Sequence, residues 1–172
     1  KMHIENSKFV KKDFNPSFMS EFNIPGHNFR MTDIQGSIGI AQLKKLNIII
    51  NFRNKFAKYY ISKLKKISWI KVPHVEQNSL HSWQAFVICI DNKIAPFSRD
   101  KIMKILLEKN IFTRPGTHAV HMQNYYKKKY NFKMKQFPNS YYLSLNSIAL
   151  PLHNKMLKKD FDYIISVLIN LE

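Results

Sequence analysis

The sequence predicts an α/β domain in which helices pack on a small mixed sheet. Three observations carry that expectation: apolar residues recur at helical spacing near both ends, short aromatic and β-branched runs lie between them, and Pro and Gly punctuate the joins. The chain has 172 residues, 45% hydrophobic and 13% aromatic, enough apolar side chain to bury one core.

The elements follow in order. Thr32-Asp33-Ile34-Gln35 has the T-x-x-Q form of a capping box, with Asp33 at the positive end of the helix dipole, so a helix starts there. Ile34, Ile38, Ala41, Ile49, Phe52, Phe56 and Tyr59 recur near helical spacing, with Lys44, Lys45, Asn51, Asn54 and Lys58 on the other face. This predicts one long amphipathic helix reaching Lys65. Trp69 to Val72 is a short apolar piece stopped by Pro73, and the run His81 to Ile90 predicts a buried strand that puts Cys89 in the core. Ser98 caps a helix from Arg99 to Lys109, with Ile102, Ile105 and Leu106 inward and Arg99, Lys101, Lys104 and Lys109 outward. Ile111-Phe112-Thr113 predicts a brief strand, and Arg114 to His121 a loop, the kind of segment that carries binding residues. A basic, aromatic helix near Asn124 to Tyr130, a helical piece after Pro138 through Leu145, a strand at Ile148 to Leu150 and a last helix from Lys158 to Leu171 complete the order.

Charge and composition narrow the function. Lys and Arg number 28 against 11 Asp and Glu, a net charge of +17. Lys127, Lys128, Lys129, Lys133 and Lys135 alternate with Tyr125, Tyr126, Tyr130 and Phe132, the mixture that phosphate contact and base stacking require. Lysines are nevertheless scattered over every predicted helix, so a generally basic surface is the plainer reading, and nucleic acid is not the principal partner expected. No apolar run approaches the length of a membrane span, and the first dozen residues hold Lys1, His3, Glu5, Lys8, Lys11 and Lys12 with no apolar core of a signal peptide. A single cysteine gives no disulfide framework, which suits a reducing cytoplasm. The start at Lys1 and the polar lead-in to Asn23 lead us to expect that the natural protein continues upstream.

Two constellations carry chemistry. Asn28 offers an amide, Arg30 a planar guanidinium, and the helix after Thr32 free N–H groups, together a dock for an anion; the plain alternative is that Asn28 and Arg30 satisfy backbone groups at a turn. His118 and His121 have H-x-x-H spacing, which can place two imidazoles on one metal. A site needs further ligands, and His81, His153 and Cys89 are far away in sequence, so no metal is assigned. Structural hydrogen bonding by either histidine stays open.

Gly26-His27-Asn28-Phe29-Arg30-Met31-Thr32-Asp33-Ile34-Gln35, followed by Gly39-Ile40-Ala41-Gln42-Leu43, resembles the signature of the DegT/StrS sugar aminotransferases, which are pyridoxal-phosphate enzymes. The resemblance continues through His81-Ser82-Trp83, Arg99-Asp100, Thr113 to His121, Tyr125-Tyr126 and Leu150-Pro151-Leu152, and the Arg114 to His121 form is similar to the perosamine synthetase-like branch. It implies the small C-terminal domain of a fold-type I aminotransferase: residues 1–31 an interdomain lead-in with the phosphate contact, 32–172 the small domain with its long linking helix. It implies that Asn28, with Arg30 beside it, reaches in trans to the cofactor phosphate of a homodimer partner, and that Arg114, His118 and His121 lie near the substrate, a 4-keto-6-deoxy sugar carried on a nucleotide, with glutamate as the usual amino donor. In the family the lysine that carries the cofactor lies in the large domain, which is missing from this chain and would precede Lys1. The lysines present have no reason to lose a proton, so the chain alone is not expected to transaminate. A non-catalytic remnant or interaction protein, and a basic nucleic-acid-binding module, are the alternatives.

Overall fold

The computed structural model describes Gly26 and residues 31–171. Ten helices and strands follow one another: α1 (Asp33–Leu43), α2 (Leu46–Leu64), β1 (Ile70–Lys71), β2 (Phe86–Ile90), α3 (Arg99–Glu108), β3 (Arg114–Pro115), α4 (Asn124–Tyr130), α5 (Pro138–Asn146), β4 (Ser147–Leu150) and α6 (Lys158–Ile169). Single 3₁₀ turns at Val120–Met122 and Met134–Gln136 flank α4. The strands line up in the order β1-β2-β4-β3, with Ile70 opposite Ile90, Ile88 opposite Ile148 and Arg114 opposite Ala149. The α/β class with helices on a sheet holds. Strand direction refines it, because all three pairings are antiparallel rather than mixed.

The core forms where α2 and α6 meet the sheet. Phe56 and Phe161 stack with centroids 4.1 Å apart and planes 8° from parallel, Tyr60 meets Phe161 edge-on at 5.0 Å, and Phe86 packs 4.9 Å from Tyr60. Each such ring contributes about 1.5–3 kcal/mol by leaving water. The Tyr60 hydroxyl donates to the Pro151 carbonyl at 3.1 Å, and burial, with the charge of Asp160 adding to it, drives its pKa well above the ordinary tyrosine value.

The predicted start of the first helix is confirmed in detail: the Thr32 amide donates to Gln35 Oε1 at 2.9 Å and the Gln35 amide to Thr32 Oγ1 at 3.3 Å. Its predicted length is corrected. The apolar pattern skips from Ala41 to Ile49, and in that gap the backbone tightens, the Lys45 amide bonding the Gln42 carbonyl at 2.9 Å, so two helices replace one. The expected buried stripe is corrected as well, because α1 buries none of its residues: Ile34 and Ile38 are 74% and 57% exposed.

The strand predicted from His81 begins only at Phe86, because Trp83 has φ 49°, which no extended strand accommodates. Its turn is tied to α2: Trp83 Nε1 donates to Asn54 Oδ1 at 3.1 Å, Asn54 Nδ2 to the His81 carbonyl at 2.9 Å and Arg53 Nη1 to the Trp83 carbonyl at 3.2 Å. Cys89 is half-buried rather than core, since alternate β2 residues face the less covered side, and burial raises its thiol pKa.

Arg99, expected outward, is buried at 7% exposure, pairing with Asp100 and donating from Nη1 to the Ser144 carbonyl at 3.4 Å. Ile111 to Thr113 forms no strand. Asn110, at φ 60°, closes α3 with the Asn110 amide on the Leu107 carbonyl and the Ile111 amide on the Leu106 carbonyl, both at 2.8 Å, and the chain reaches the sheet only at Arg114.

Candidate functional site

Strand β3 is two residues long and carries Pro at the sheet edge, where a missing N–H costs nothing. The chain then presses onto β4. The Gly116 amide donates to the Ser147 carbonyl at 3.0 Å, and a Cβ on Gly116 would come within 2.5 Å of Val87 Cγ1 and 2.6 Å of Ser147 Oγ. Only glycine allows that approach. Arg114 on one side and His118 on the other are thereby brought to one opening.

That opening is a cleft of about 1130 Å³ between the β3–β4 edge and α6. Arg114 and His118 both line it, joined by His153, which the sequence offered only as a distant metal ligand, and by Lys155 and Tyr163, which it did not single out. The signal that could have found His153 and Lys155 was their place directly after Leu150-Pro151-Leu152, where β4 delivers the chain to the cleft. Tyr163 holds the wall by donating to the Lys109 carbonyl at 3.2 Å. The carboxylate facing the cleft, Asp160, is engaged at the start of α6, where Oδ2 accepts from the Leu157 amide at 2.7 Å. Among the described residues no carboxylate pairs with Arg114 or Lys155, so the cleft carries a surplus of positive charge suited to an anion.

His121 is not in this cleft. It is buried at 6% exposure against Phe137, with ring centroids 4.9 Å apart, and lines a separate cavity, so the two imidazoles of the H-x-x-H spacing do not converge. Among the described residues no three His, Cys, Asp or Glu side chains group as metal ligands. Asn28 and Arg30 lie outside the described residues.

Carrying an aldehyde cofactor on a lysine requires an amine able to give up its proton. The described lysines are all exposed, and those with displaced pKa values, Lys71, Lys129 and Lys158, are raised, by hydrogen bonds to Asp91, Tyr125 and Asp162 respectively. The described residues therefore do not fit the attachment of such a cofactor, and what they offer is a cationic cleft wall. No described helix is long and apolar enough to cross a membrane.

Residues 4–169 match the sequence profile of the DegT/DnrJ/EryC1/StrS aminotransferase family. Two curated relatives are the uncharacterized protein MJ1066 of Methanocaldococcus jannaschii, 31% identical over 135 residues, and the spore coat polysaccharide biosynthesis protein SpsC of Bacillus subtilis, 30% identical over 152 residues. The matches cover 78% and 88% of this chain but 35% and 39% of those proteins, so the chain spans under two fifths of their length. Among solved structures, E. coli GDP-4-keto-6-deoxy-D-mannose-3-dehydratase with bound hydrated PLP is 30% identical with a TM-score of 0.68, over 84% of this chain and 37% of that one. Helicobacter pylori PseC, an aminotransferase involved in the biosynthesis of pseudoaminic acid, shares the fold at 20% identity and a TM-score of 0.72, over 91% of this chain and 43% of that one.

Proposed function

We propose that this chain, which belongs to the DegT/DnrJ/EryC1/StrS aminotransferase family, is the substrate-facing small domain of a pyridoxal-phosphate enzyme acting on nucleotide-linked 4-keto-6-deoxy sugars for surface polysaccharide synthesis. Residues 1–31 are its interdomain lead-in and 32–172 the domain itself. The observation that carries the reading is the cleft: Arg114 and Lys155 set a cationic wall, with His118 and His153 beside them, where the diphosphate of a nucleotide sugar would lie. The cofactor supplies the electron sink that lets nitrogen move between glutamate and the sugar carbon. The cofactor-bearing lysine belongs to the rest of the enzyme, and this chain alone does not transaminate. Its own residues bind and orient. Arg114 and Lys155 hold the phosphates, Tyr163 fixes the wall, and Asn28 with Arg30 contacts the cofactor phosphate of the partner in a cytoplasmic homodimer.

The test uses the whole protein that carries this chain, purified with pyridoxal phosphate and given GDP-4-keto-6-deoxy-D-mannose and glutamate. The expected result is visible cofactor absorbance and a new amino group on the sugar. Arg114→Ala raises KM for the nucleotide sugar roughly tenfold or more, the loss of about 1.5–3 kcal/mol expected of a charged hydrogen bond, and leaves cofactor absorbance intact. Absence of both absorbance and sugar chemistry sinks the reading. A second reaction is favoured by the 30% identity to a 3-dehydratase: loss of the sugar 3-hydroxyl with no nitrogen retained, which mass spectrometry of the product separates from amination.

A further inference from the structure

Phe86 and Ile88 face the core, and the side chains of a strand alternate, so a straight continuation of β2 would carry Gln84 inward and leave Trp83 outside. The chain adopts the reverse arrangement. Trp83 is buried at 3% exposure with its ring 5.5 Å from that of Phe86, while Gln84 is exposed. The exchange is made at one backbone position, Trp83 at φ 49°, a left-handed conformation in which a bulky side chain is an outlier. Such strain persists only where the surroundings fix it, and it concentrates at ligand sites.

Four hydrogen bonds fix it here. Asn54 Nδ2 donates to the His81 carbonyl, Asn54 Oδ1 accepts from Trp83 Nε1, and Arg53 Nη1 donates to the Trp83 carbonyl, all from α2. Within the turn the Trp83 amide donates to His81 Nδ1 at 2.9 Å, and the two rings lie 4.2 Å apart. A straight strand with tryptophan at position 84 would bury the same indole without strain, so burial alone does not call for the turn. What the turn adds is Gln84, which with Ala85 lines the cleft beside Pro151 and Leu152.

Gln84 brings a different chemistry to that cleft. Phosphate oxygens accept hydrogen bonds, and Arg114 and Lys155 are donors suited to them, whereas a carboxamide both donates and accepts, as a sugar hydroxyl does. Strand β4 lies between β2 and β3, so Gln84 and Arg114 come to the cleft from opposite sides of it, and one molecule can meet Arg114 with its phosphates and Gln84 with its sugar ring. We propose that Gln84 is a specificity-determining residue, its amide bonding a hydroxyl of the sugar, and that Asn54 is the positioning residue that holds it there through the Trp83 turn. The assignment of the sugar rests on the function proposed above.

The test is steady-state kinetics of the whole protein with pyridoxal phosphate, saturating glutamate and GDP-4-keto-6-deoxy-D-mannose as the varied substrate, with GDP as the inhibitor that lacks the sugar. Gln84→Ala, an exposed position, is expected to keep the circular dichroism of the parent and to raise KM for the nucleotide sugar roughly three- to tenfold, the effect of one hydrogen bond, while the inhibition constant of GDP stays unchanged. Asn54→Ala is expected to raise the same KM but to add nothing further in the Gln84→Ala background, since residues that act through one contact are not additive. If Asn54→Ala fails to fold, the Gln84→Ala comparison decides alone. A KM unmoved by Gln84→Ala, or a GDP inhibition constant that rises as much as the KM, overturns the assignment of Gln84 and leaves the enzyme reading standing. Additive effects of the two substitutions overturn the positioning role of Asn54. Absence of sugar chemistry in the parent protein overturns the function proposed above and this assignment with it.

Discussion

Asp162 illustrates how single side chains set the acid limit of this fold. Lys158 Nζ donates to it at 2.7 Å and the Tyr59 hydroxyl donates to its other oxygen, and these bonds hold its carboxyl below the usual aspartate range. Tyr59 lies on α2 and Asp162 on α6, so the bond ties the two helices that enclose the core. A carboxylate whose pKa falls on folding adds stability that is present above its unfolded value, near 4, and is lost as pH falls through the folded value. Asp162→Asn is therefore expected to lower the melting temperature at pH 7 modestly, since the group is solvent-screened, and the gap to the parent closes as pH falls below the ordinary aspartate range and through the folded value. Thermal melts by circular dichroism across that range check it. The Lys158–Asp162 pair has the i,i+4 spacing a predicted helix makes readable, but the Tyr59 bond was not legible, because residues 59 and 162 meet only once the two helices have packed.

At the scale of elements, local rules carried far. The cap at Thr32 and the cap at Ser98, whose Oγ accepts from the Lys101 amide at 3.4 Å, stand where the sequence implies, while α5 takes in Pro138 as its first residue instead of starting after it. What local rules missed were places where a distant partner overrides propensity: Trp83 turned left-handed by hydrogen bonds from α2, and Arg99 drawn inward by the Ser144 carbonyl. The segment β3–Gly116 is the element on which the cleft depends. Gly116→Ala is expected to cost roughly 1–3 kcal/mol, because its Cβ would overlap Val87 and Ser147, and urea unfolding measures it. The backbone shift that relieves the overlap also displaces Arg114 and His118. The substitution should therefore raise KM for the nucleotide sugar in the whole enzyme more than Arg114→Ala alone.

Over the whole molecule, burial is uneven. The core joins α2, α3, α6 and the sheet, while α1 leaves Ile34, Ile38, Ile40 and Leu43 more than half exposed. Ile34 and Ile38 lie on one side of the helix and Ile40 and Leu43 on the other, and exposed apolar side chains in such number favour association. Ile34→Ser with Ile38→Ser is expected to change folding stability by less than about 0.5 kcal/mol, because neither side chain is buried, and to reduce self-association of the chain in sedimentation velocity. A large stability loss would show that α1 is packed in solution. Sequence alone determined the α/β class, the order of most elements and the family, because periodicity, caps and motif residues act over a few positions of chain. The tertiary structure decided that the apolar residues of α1 are left exposed among the described residues, that His153 and Lys155 join the cleft, and that His121 parts from His118 into a separate cavity. Those outcomes depend on which surfaces meet across the sheet, and contacts between residues far apart in the chain leave no local periodicity to read.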